Sequence, residues 1–269
     1  METFGLTKTY GRETVVNNLS LSIESGEIFG LLGPNGAGKT TTLLMLLGLS
    51  EPSGGHCRVL GLDPLKKPLE VKSKVGYMAE NMGIFPELTA REHLRFLADL
   101  NGIKKPAIND CLELVGLLGA ADKKAGAYSR GMRQRLGLAE TLIKEPKLAF
   151  LDEPTLGLDP DGIATMLELI VRLPKEKGLT IVLSSHLLHL VERVAGKVAI
   201  LNQGRLLALG GVGELSEKSG LPGDLETVYR HYLKADMGSE IDGLVLGQEK
   251  GPGPGQGQGP SPDGPGALT

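Results

Sequence analysis

Residues 33–41, which read GPNGAGKTT, have the residue types and the spacing needed to hold a chain of phosphates. They match G-x-x-x-x-G-K-[ST], in which the glycines let backbone N–H groups converge on phosphate oxygens. The lysine side chain reaches the β- and γ-phosphates, and the hydroxyl that follows it can coordinate Mg²⁺. The nucleotide-binding residues predicted from this loop are Gly33, Pro34, Asn35, Gly36, Ala37, Gly38, Lys39, Thr40 and Thr41.

Two adjacent acids could supply the remaining chemistry of nucleotide hydrolysis. Asp152 and Glu153 end the apolar run LAFLDE. A carboxylate at the C-terminal end of a central strand lies beside the phosphate-binding crevice in sheets of this kind. Asp152 is therefore predicted to hold Mg²⁺, and Glu153 is predicted to take a proton from an attacking water. Taken alone, an Asp-Glu pair is typical of a solvated turn, but the phosphate loop favours the functional interpretation.

His186 follows the next apolar run, in the stretch VLSSH. A histidine at the C-terminal edge of a strand beside a phosphate site can contact the γ-phosphate, and this is the role predicted for His186. The alternative is a packed or capping histidine whose polar end finds a local partner. The sequence places His56, His93, His189 and His231 at no comparable edge.

Nearly continuous apolar runs indicate the strands that must position these residues. Residues 27–33, 147–152 and 179–185 are predicted to be central strands buried on both faces. Residues 18–23 alternate like a half-exposed strand, and residues 198–210 are predicted to form a hairpin. The alternation of such runs with helical segments predicts an α/β fold of the P-loop NTPase type with a mostly parallel central sheet.

The pattern between residues 88 and 125 shows no strand, which predicts a helical subdomain over about residues 88–146. This subdomain belongs to a predicted nucleotide-binding domain of residues 1–215. Residues 216–242 are predicted to form a short helical extension. Repeated glycine and proline in residues 243–269 cannot form a core, so a disordered tail is predicted there.

Composition limits the classes of partner. The chain has 269 residues, of which 41% are hydrophobic and 23% charged, with a net charge of -3. This balance and a 4% aromatic content predict no nucleic-acid partner. Neither a signal-peptide core nor an apolar run of membrane-spanning length is present, so no membrane span is predicted. Cys57 and Cys111 match no zinc spacing and are predicted to be buried free thiols in a reducing compartment.

The order of the motifs is the phosphate loop, then YSRGMRQRL, LAFLDEP, GLDP and SSH. This combination, over about residues 3–215, resembles the ATP-binding cassette family, the nucleotide-binding subunits of ABC transporters. It is most similar to bacterial exporter-type ATPases with YSKGM-like signatures. The resemblance implies an additional N-terminal antiparallel β subdomain. Asp152, Glu153 and His186 match the family's metal-associated aspartate, general base and switch histidine.

The resemblance also implies roles for residues that match other motifs of the family. Tyr10 matches the aromatic residue that stacks on adenine, and Val16 matches an apolar residue beside the base. Asp159 in GLDP matches an aspartate at the dimer interface. YSRGM matches the LSGGQ signature, so Ser129 and Gly131 correspond to positions that contact the γ-phosphate of ATP held by the other subunit.

Two departures from the family's pattern stand out. Arg130 and Met132 replace a glycine and a glutamine of the signature, and Arg130 adds positive charge near phosphate. Glu80 stands where the family usually has glutamine. Its carboxylate offers an oxygen to Mg²⁺, so Glu80 is a predicted metal residue together with Thr40 and Asp152.

Ser129 has a second interpretation. It precedes Met132, Leu136, Ala139 and Ile143, whose spacing is helical, so it is predicted to be the N-cap of a helix. Capping and phosphate binding are compatible, because both use the N-terminus of the helix.

The function predicted is that of an ATPase subunit of an ABC transporter, with ATP and Mg²⁺ as cofactors. The resemblance implies a homodimer or heterodimer on ATP binding and a separate membrane permease. It also implies a peripheral location on the cytoplasmic side of the cell membrane, and it favours export.

The sequence leaves three alternatives to this function. A soluble ABC-type ATPase of translation or DNA repair usually has two cassettes or a long coiled-coil insertion. A regulatory subunit with an inactive site is disfavoured, because the lysine, both acids and the histidine are present. Other P-loop enzymes lack the signature, and a GTPase would normally show N-K-x-D.

Overall fold

The computed structural model describes residues 1–220 and 224–247. The described residues divide into two units, one of Met1–Leu233 and one that begins at Lys234. The strands of the described residues and all predicted site residues belong to the first unit. The described part of the second unit is helical.

The largest sheet follows the apolar runs of the sequence. The strands are β1 (Glu2–Tyr10), β2 (Glu13–Ser22), β3 (Ile28–Leu32), β4 (Gly54–Arg58), β5 (Val75–Met78), β6 (Leu148–Asp152), β7 (Thr180–Ser185), β8 (Lys197–Asn202) and β9 (Arg205–Gly210). Six of them form a sheet in the order β5-β6-β7-β3-β8-β9, in which only β8 and β9 pair antiparallel. Every residue of β6 and β7 is buried, as expected for strands covered on both faces. The mostly parallel central sheet is confirmed.

Helices follow most of the strands. They are α1 (Lys39–Leu46), α2 (Pro68–Lys74), α3 (Ala90–Leu100), α4 (Ile108–Leu114), α5 (Arg130–Leu142), α6 (Pro160–Lys177), α7 (Leu188–Glu192), α8 (Val212–Ser219) and α9 (Leu225–Gly247). A capping box between Thr89 and Glu92 begins α3. α3, α4 and α5 fall within residues 88–146, and the description of that range as a separate subdomain stays a prediction.

The carboxyl ends of β3, β6 and β7 meet at one edge of the central sheet. Leu32 is paired with Ser185 across β3 and β7, and Asp152 is paired with Ser184 across β6 and β7. Because β3 leads directly into the phosphate loop, this register places the loop, the acids and the serines at the same edge.

A second, three-stranded sheet has the order β2-β1-β4, and both of its pairings are antiparallel. The antiparallel N-terminal sheet is confirmed. We did not predict β1, β4 or β5 from the sequence. β4 reads GGHCR and β5 reads VGYM, and segments this short leave little room for a period of two to show.

The C-terminal helices differ from the predicted extension. α8 begins at Val212, before the predicted boundary at residue 215, and α9 continues to Gly247, past the predicted start of the tail at residue 243. The stretch GLVLG contains three apolar residues and no proline, and the proline repeat begins only at Pro252. Residues 248–269, where most of the predicted disordered tail falls, lie outside the described residues.

Both cysteines are buried and free, as predicted. Burial is the main cause that raises the pKa of the Cys57 and Cys111 thiols to about 11. Within residues 1–220 and 224–247, no helix has both the length and the apolar character needed to cross a membrane.

Candidate active site

The phosphate loop connects the end of β3 to the start of α1. Gly36 and Gly38 have φ angles of 82° and 93°, in the left-handed region that glycine enters at low cost. A Cβ atom on Gly38 would lie 2.3 Å from the Val15 carbonyl oxygen and 3.1 Å from Val16 Cγ2. Val16 is only 1% exposed. The side chain of Val16 therefore packs against the loop, and the loop requires glycine where β2 approaches it.

The Lys39 ammonium group turns back into the loop. Its Nζ donates to the carbonyl oxygen of Gly33 at 2.8 Å and to that of Pro34 at 3.2 Å. Burial lowers the pKa of Lys39, and three nearby acids, first among them Glu153, oppose that shift. The lysine is thus a desolvated cation held by neutral carbonyls, which phosphate oxygens could replace.

Two hydroxyl groups hold the Asp152 carboxylate. Thr40 Oγ1 donates to Asp152 Oδ2 at 2.8 Å, and Ser184 Oγ donates to Asp152 Oδ1. Mg²⁺ commonly takes one or two protein oxygens and completes its shell with phosphates and water. Thr40 and Asp152 fit that pattern. In the described part of the chain, no three His, Cys, Asp or Glu side chains cluster as a possible metal cage.

Glu153 lies one residue beyond β6, with φ at 49°. Its Oε1 lies 2.9 Å from His186 Nδ1 and 3.8 Å from Lys39 Nζ. Ser185 Oγ donates to Oε2 at 3.4 Å. The left-handed backbone gives the two adjacent acids different partners. Asp152 contacts two hydroxyls, whereas Glu153 contacts two basic groups and one hydroxyl. Glu153 can accept a proton from a water molecule beside the loop.

Tyr10 is the last residue of β1, and 52% of its surface is exposed. Its hydroxyl lies 3.4 Å from Ser50 Oγ, and Lys8 Nζ lies 4.9 Å from the ring centroid. An exposed aromatic ring is what stacking on a nucleobase requires.

Glu80 is exposed just beyond β5. It lines a cavity of about 310 Å³ together with Arg130, Arg133 and Gln134 of α5. Glu80 and Arg130, two of the three residues that depart from the family's pattern, therefore line the same cavity.

Ser129 is the N-cap of α5, as its spacing predicts. Its Oγ accepts from the Met132 N–H at 3.2 Å. Ser129, Gly131 and Asp159 line a cavity of about 450 Å³, and the lining of this cavity includes none of residues 33–41. Asp159 caps α6 by accepting from the Gly162 N–H at 2.8 Å.

The Arg130 side chain lies against the backbone of Gly157. A Cβ atom on Gly157 would be 2.1 Å from the Arg130 Cζ, and Gly157 has a φ of 68°. The absence of a side chain at Gly157 therefore makes room for the guanidinium group. This contact explains how the start of α5 accommodates an arginine where the family has glycine.

The sheet edge brings together most of the predicted hydrolytic residues. They are Lys39, Thr40, Asp152, Glu153 and His186. Ser129 and Gly131 instead line the cavity of about 450 Å³ at the start of α5. Sequence reasoning missed Ser184 and Ser185, which contact the two acids. The SSH motif at the end of an apolar run was the available signal, because the last residues of neighbouring parallel strands share an edge.

A phosphate loop after a central strand, with an aspartate and a glutamate ending another strand of the sheet, defines a P-loop nucleotide hydrolase. The family model described as "ABC transporter" matches residues 16–156. The chain belongs to this family, as an ATP-binding subunit that hydrolyses ATP. ATP-binding subunits of ABC transporters work with membrane permease components.

Similar sequences have related descriptions. The chain is 45% identical over 208 residues to a bacitracin transport ATP-binding protein of Bacillus licheniformis, covering 77% of this chain and 68% of the relative. It is 36% identical over 219 residues to a linearmycin resistance ATP-binding protein of Bacillus subtilis, covering 80% and 70%.

Solved structures have the same fold. An ATP-binding subunit of an ABC transporter matches with a TM-score of 0.77 and 30% identity, covering 86% of this chain and 98% of that structure. The cbiO1 protein of Clostridium perfringens, part of the cbiONQ transporter complex, matches with a TM-score of 0.74 and 25% identity, covering 91% and 98%.

Proposed function

We propose that ATP hydrolysis by this chain drives export through a separate membrane permease, and that two copies of the chain close around ATP. The observation that carries the proposal is the convergence of Lys39, Asp152, Glu153 and His186 at the phosphate loop. Export is supported by the relatives named for bacitracin transport and linearmycin resistance.

The side chains divide the chemistry of hydrolysis among them. Lys39 exchanges its loop carbonyls for the β- and γ-phosphate oxygens, which strengthens its charge interactions. Glu153 accepts the proton of the attacking water, and His186, 2.9 Å from the glutamate, contacts the γ-phosphate. Tyr10 stacks on adenine. Val16, which packs against the loop, lies beside the base.

Mg²⁺ bound with ATP would be held by Thr40 and Asp152, and the Glu80 carboxylate would offer it a further oxygen. The ion would neutralise charge that develops on the transferred phosphoryl group. Thr40 and Asp152 supply hard oxygen ligands 2.8 Å apart, and Glu80 lies near enough to oppose the burial shift of Lys39.

The N-terminus of α5 would bind the γ-phosphate of the ATP held by the second copy. This role is supported by the cavity that Ser129 and Gly131 line, because no phosphate-loop residue of the same chain lines that cavity. Backbone N–H groups at a helix N-terminus favour an anion, and Arg130 adds a positive charge there. Asp159, on the same cavity, would lie at the interface between the copies.

The permease would hold the chain at the cytoplasmic side of the membrane as a peripheral subunit. A membrane partner is supported by large apolar side chains that are exposed on α3 and on the segment just before it. Phe85 and Phe96 form an edge-to-face pair with ring centroids 5.3 Å apart, and Leu100 is exposed nearby in the sequence. A partner that covers this aromatic pair would remove apolar surface from water.

Co-purification from membranes tests the proposal. The tagged chain should copurify with a multi-span membrane protein, and the pair should show transport that depends on ATP hydrolysis. The Glu153→Gln variant should assemble with the same membrane protein and fail to transport. A chain that hydrolyses ATP but is recovered without any membrane protein would contradict the transport function.

A further inference from the structure

Ser184 is a hydroxyl residue at the end of β7 that contacts both acids of the candidate active site. It is paired with Asp152 across β6 and β7, and it is 0% exposed. Its Oγ donates to Asp152 Oδ1, and its backbone carbonyl accepts from the Glu153 N–H at 3.1 Å. The same N–H lies 3.3 Å from Ser184 Oγ.

The two hydroxyls that hold Asp152 differ in what supports them. Thr40 stands in the first turn of α1, directly after the phosphate loop, and is itself proposed to bind the metal. If the Thr40 oxygen coordinated a metal ion through a lone pair, its O–H could still donate to Oδ2, and Thr40 and Oδ2 would both lie at the metal. Ser184 is fixed by the sheet register and would retain its bond to Oδ1. Ser184 would therefore be the one of these two hydroxyls that holds the carboxylate without itself contacting the metal.

Ser184 also anchors the backbone bend that separates the two acids. Glu153 has a φ of 49°, which a residue with a side chain rarely adopts. The hydrogen bond from the Glu153 N–H to Ser184 ties the start of this bend to β7. One residue of β7 thus fixes the direction of the Asp152 carboxylate and the start of the Glu153 turn.

We propose that Ser184 is a positioning residue for metal-dependent ATP binding, whose hydroxyl keeps Asp152 Oδ2 directed at Thr40 and the metal of the bound nucleotide. The proposal rests on the proposed metal role of Asp152. A hydroxyl that orients a metal-binding carboxylate acts through that carboxylate, and loss of such an outer contact typically costs about 10- to 100-fold in metal affinity or activity.

Ser185 provides a matched control, because it is also a buried serine of β7. Its Oγ accepts from the Leu187 N–H at 3.0 Å and donates to Glu153 Oε2 at 3.4 Å. Removal of this hydroxyl changes a contact of the general base. It leaves both hydrogen bonds of Asp152 intact.

The experiment measures binding of a non-hydrolysable ATP analogue to the full chain by calorimetry, once with Mg²⁺ and once with EDTA. Ser184→Ala should lose about 10- to 100-fold of the affinity measured with Mg²⁺. With EDTA its affinity should stay within about twofold of wild type. Ser184→Thr should restore most of the Mg²⁺-dependent affinity, and Ser185→Ala should bind like wild type in both conditions.

An unchanged affinity of Ser184→Ala with Mg²⁺, or an equal loss with and without the metal, would overturn the proposal. If the extra methyl of Ser184→Thr prevents folding, Ser184→Cys replaces it, and absence of any recovery overturns the proposal as well. Asp152→Asn separates the metal role of Asp152 from the positioning role of Ser184. If Asp152→Asn also keeps the full effect of Mg²⁺, the metal role of Asp152 is wrong. If Ser184→Ala keeps the full effect of Mg²⁺ while Asp152→Asn loses it, only the positioning role of Ser184 is wrong.

Discussion

Lys39 Nζ lies 3.8 Å from Glu153 Oε1, and both side chains are less than a tenth exposed. A buried cation and a buried carboxylate are costly to desolvate, and their mutual attraction offsets part of that cost. The pair joins the group proposed to bind phosphate to the group proposed to activate water. Phosphate oxygens that take the lysine would free the carboxylate to accept a proton.

Replacement of Lys39 by alanine should abolish hydrolysis and weaken ATP binding by roughly 10- to 100-fold, because charge-assisted hydrogen bonds to the phosphates are lost. Lys66→Ala is the matched control, since Lys66 is a largely exposed lysine that pairs with Asp63 at 3.6 Å. Steady-state phosphate release and calorimetric binding measure the two effects. Wild-type turnover in Lys39→Ala would refute the role of the loop.

Glu153→Gln should bind ATP like wild type and hydrolyse it roughly 10²- to 10⁴-fold more slowly, as expected when a general base is removed. The amide keeps the size of the side chain and retains a contact with His186. Single-turnover hydrolysis and equilibrium binding should be measured on the same preparation. Binding that is lost together with activity would mean that Glu153 has a structural role.

Tyr10→Ala should weaken ATP binding by roughly 5- to 150-fold, the range that corresponds to loss of stacking on one base. Turnover at saturating ATP should change little, because stacking contributes equally to the ground state and the transition state. Tyr10→Phe keeps the ring and loses only the hydroxyl near Ser50. It should behave like wild type, and equal affinities of all three proteins would refute stacking by Tyr10.

The two thiols should be nearly unreactive in the folded protein. With a pKa of about 11, only about one thiol in a thousand is ionised at pH 8. Reaction is slow because the thiolate is the reactive form of the thiol. The unfolded chain ionises its thiols at lower pH than the folded chain, so Cys57 and Cys111 should lower stability as the pH rises from about 9 to about 11.

Reaction with a thiol reagent checks this expectation. The native protein should react slowly at mildly alkaline pH, and both thiols should react promptly in concentrated guanidinium chloride. Melting temperatures of Cys57→Ser and wild type, compared across alkaline pH, test the sign of the stability change. Fast reaction of both thiols in the native state would contradict their burial.

The sequence predicted the central sheet because its strands are buried on both faces, so residues such as those of β6 and β7 form continuous apolar runs. It predicted Lys39, Thr40 and Asp152 together because the phosphate loop has a fixed spacing and follows a strand. Short strands such as β4 escaped prediction because their stability comes from pairing with β1, and a local pattern does not record that pairing.

Contacts between distant residues could not be read from the sequence for the same reason. The hydrogen bond from Ser184 to Asp152 joins residues 32 positions apart, and only the register of β6 and β7 brings them together. The contact between the Arg130 side chain and Gly157 depends on a turn that packs against the start of α5. A motif names the residues of a site, whereas their partners depend on the fold.

The dimer proposal rests on Ser129, whose hydroxyl caps α5. Ser129→Asp keeps a side chain that is an equally good N-cap. Its carboxylate would repel a phosphate placed at the same helix terminus. Ser129→Thr keeps both the hydroxyl and the cap. The pair of variants therefore separates phosphate binding from helix capping without removing the cap.

The most direct measurement is the molar mass in solution, by size-exclusion chromatography with light scattering, of Glu153→Gln protein with ATP and Mg²⁺. Glu153→Gln should be a dimer, both alone and with Ser129→Thr, and it should be a monomer with Ser129→Asp. The melting temperatures of the three proteins without nucleotide should agree, because the cap is retained. A dimer that persists in the Ser129→Asp protein, or a Glu153→Gln protein that stays monomeric with ATP and Mg²⁺, would contradict the account.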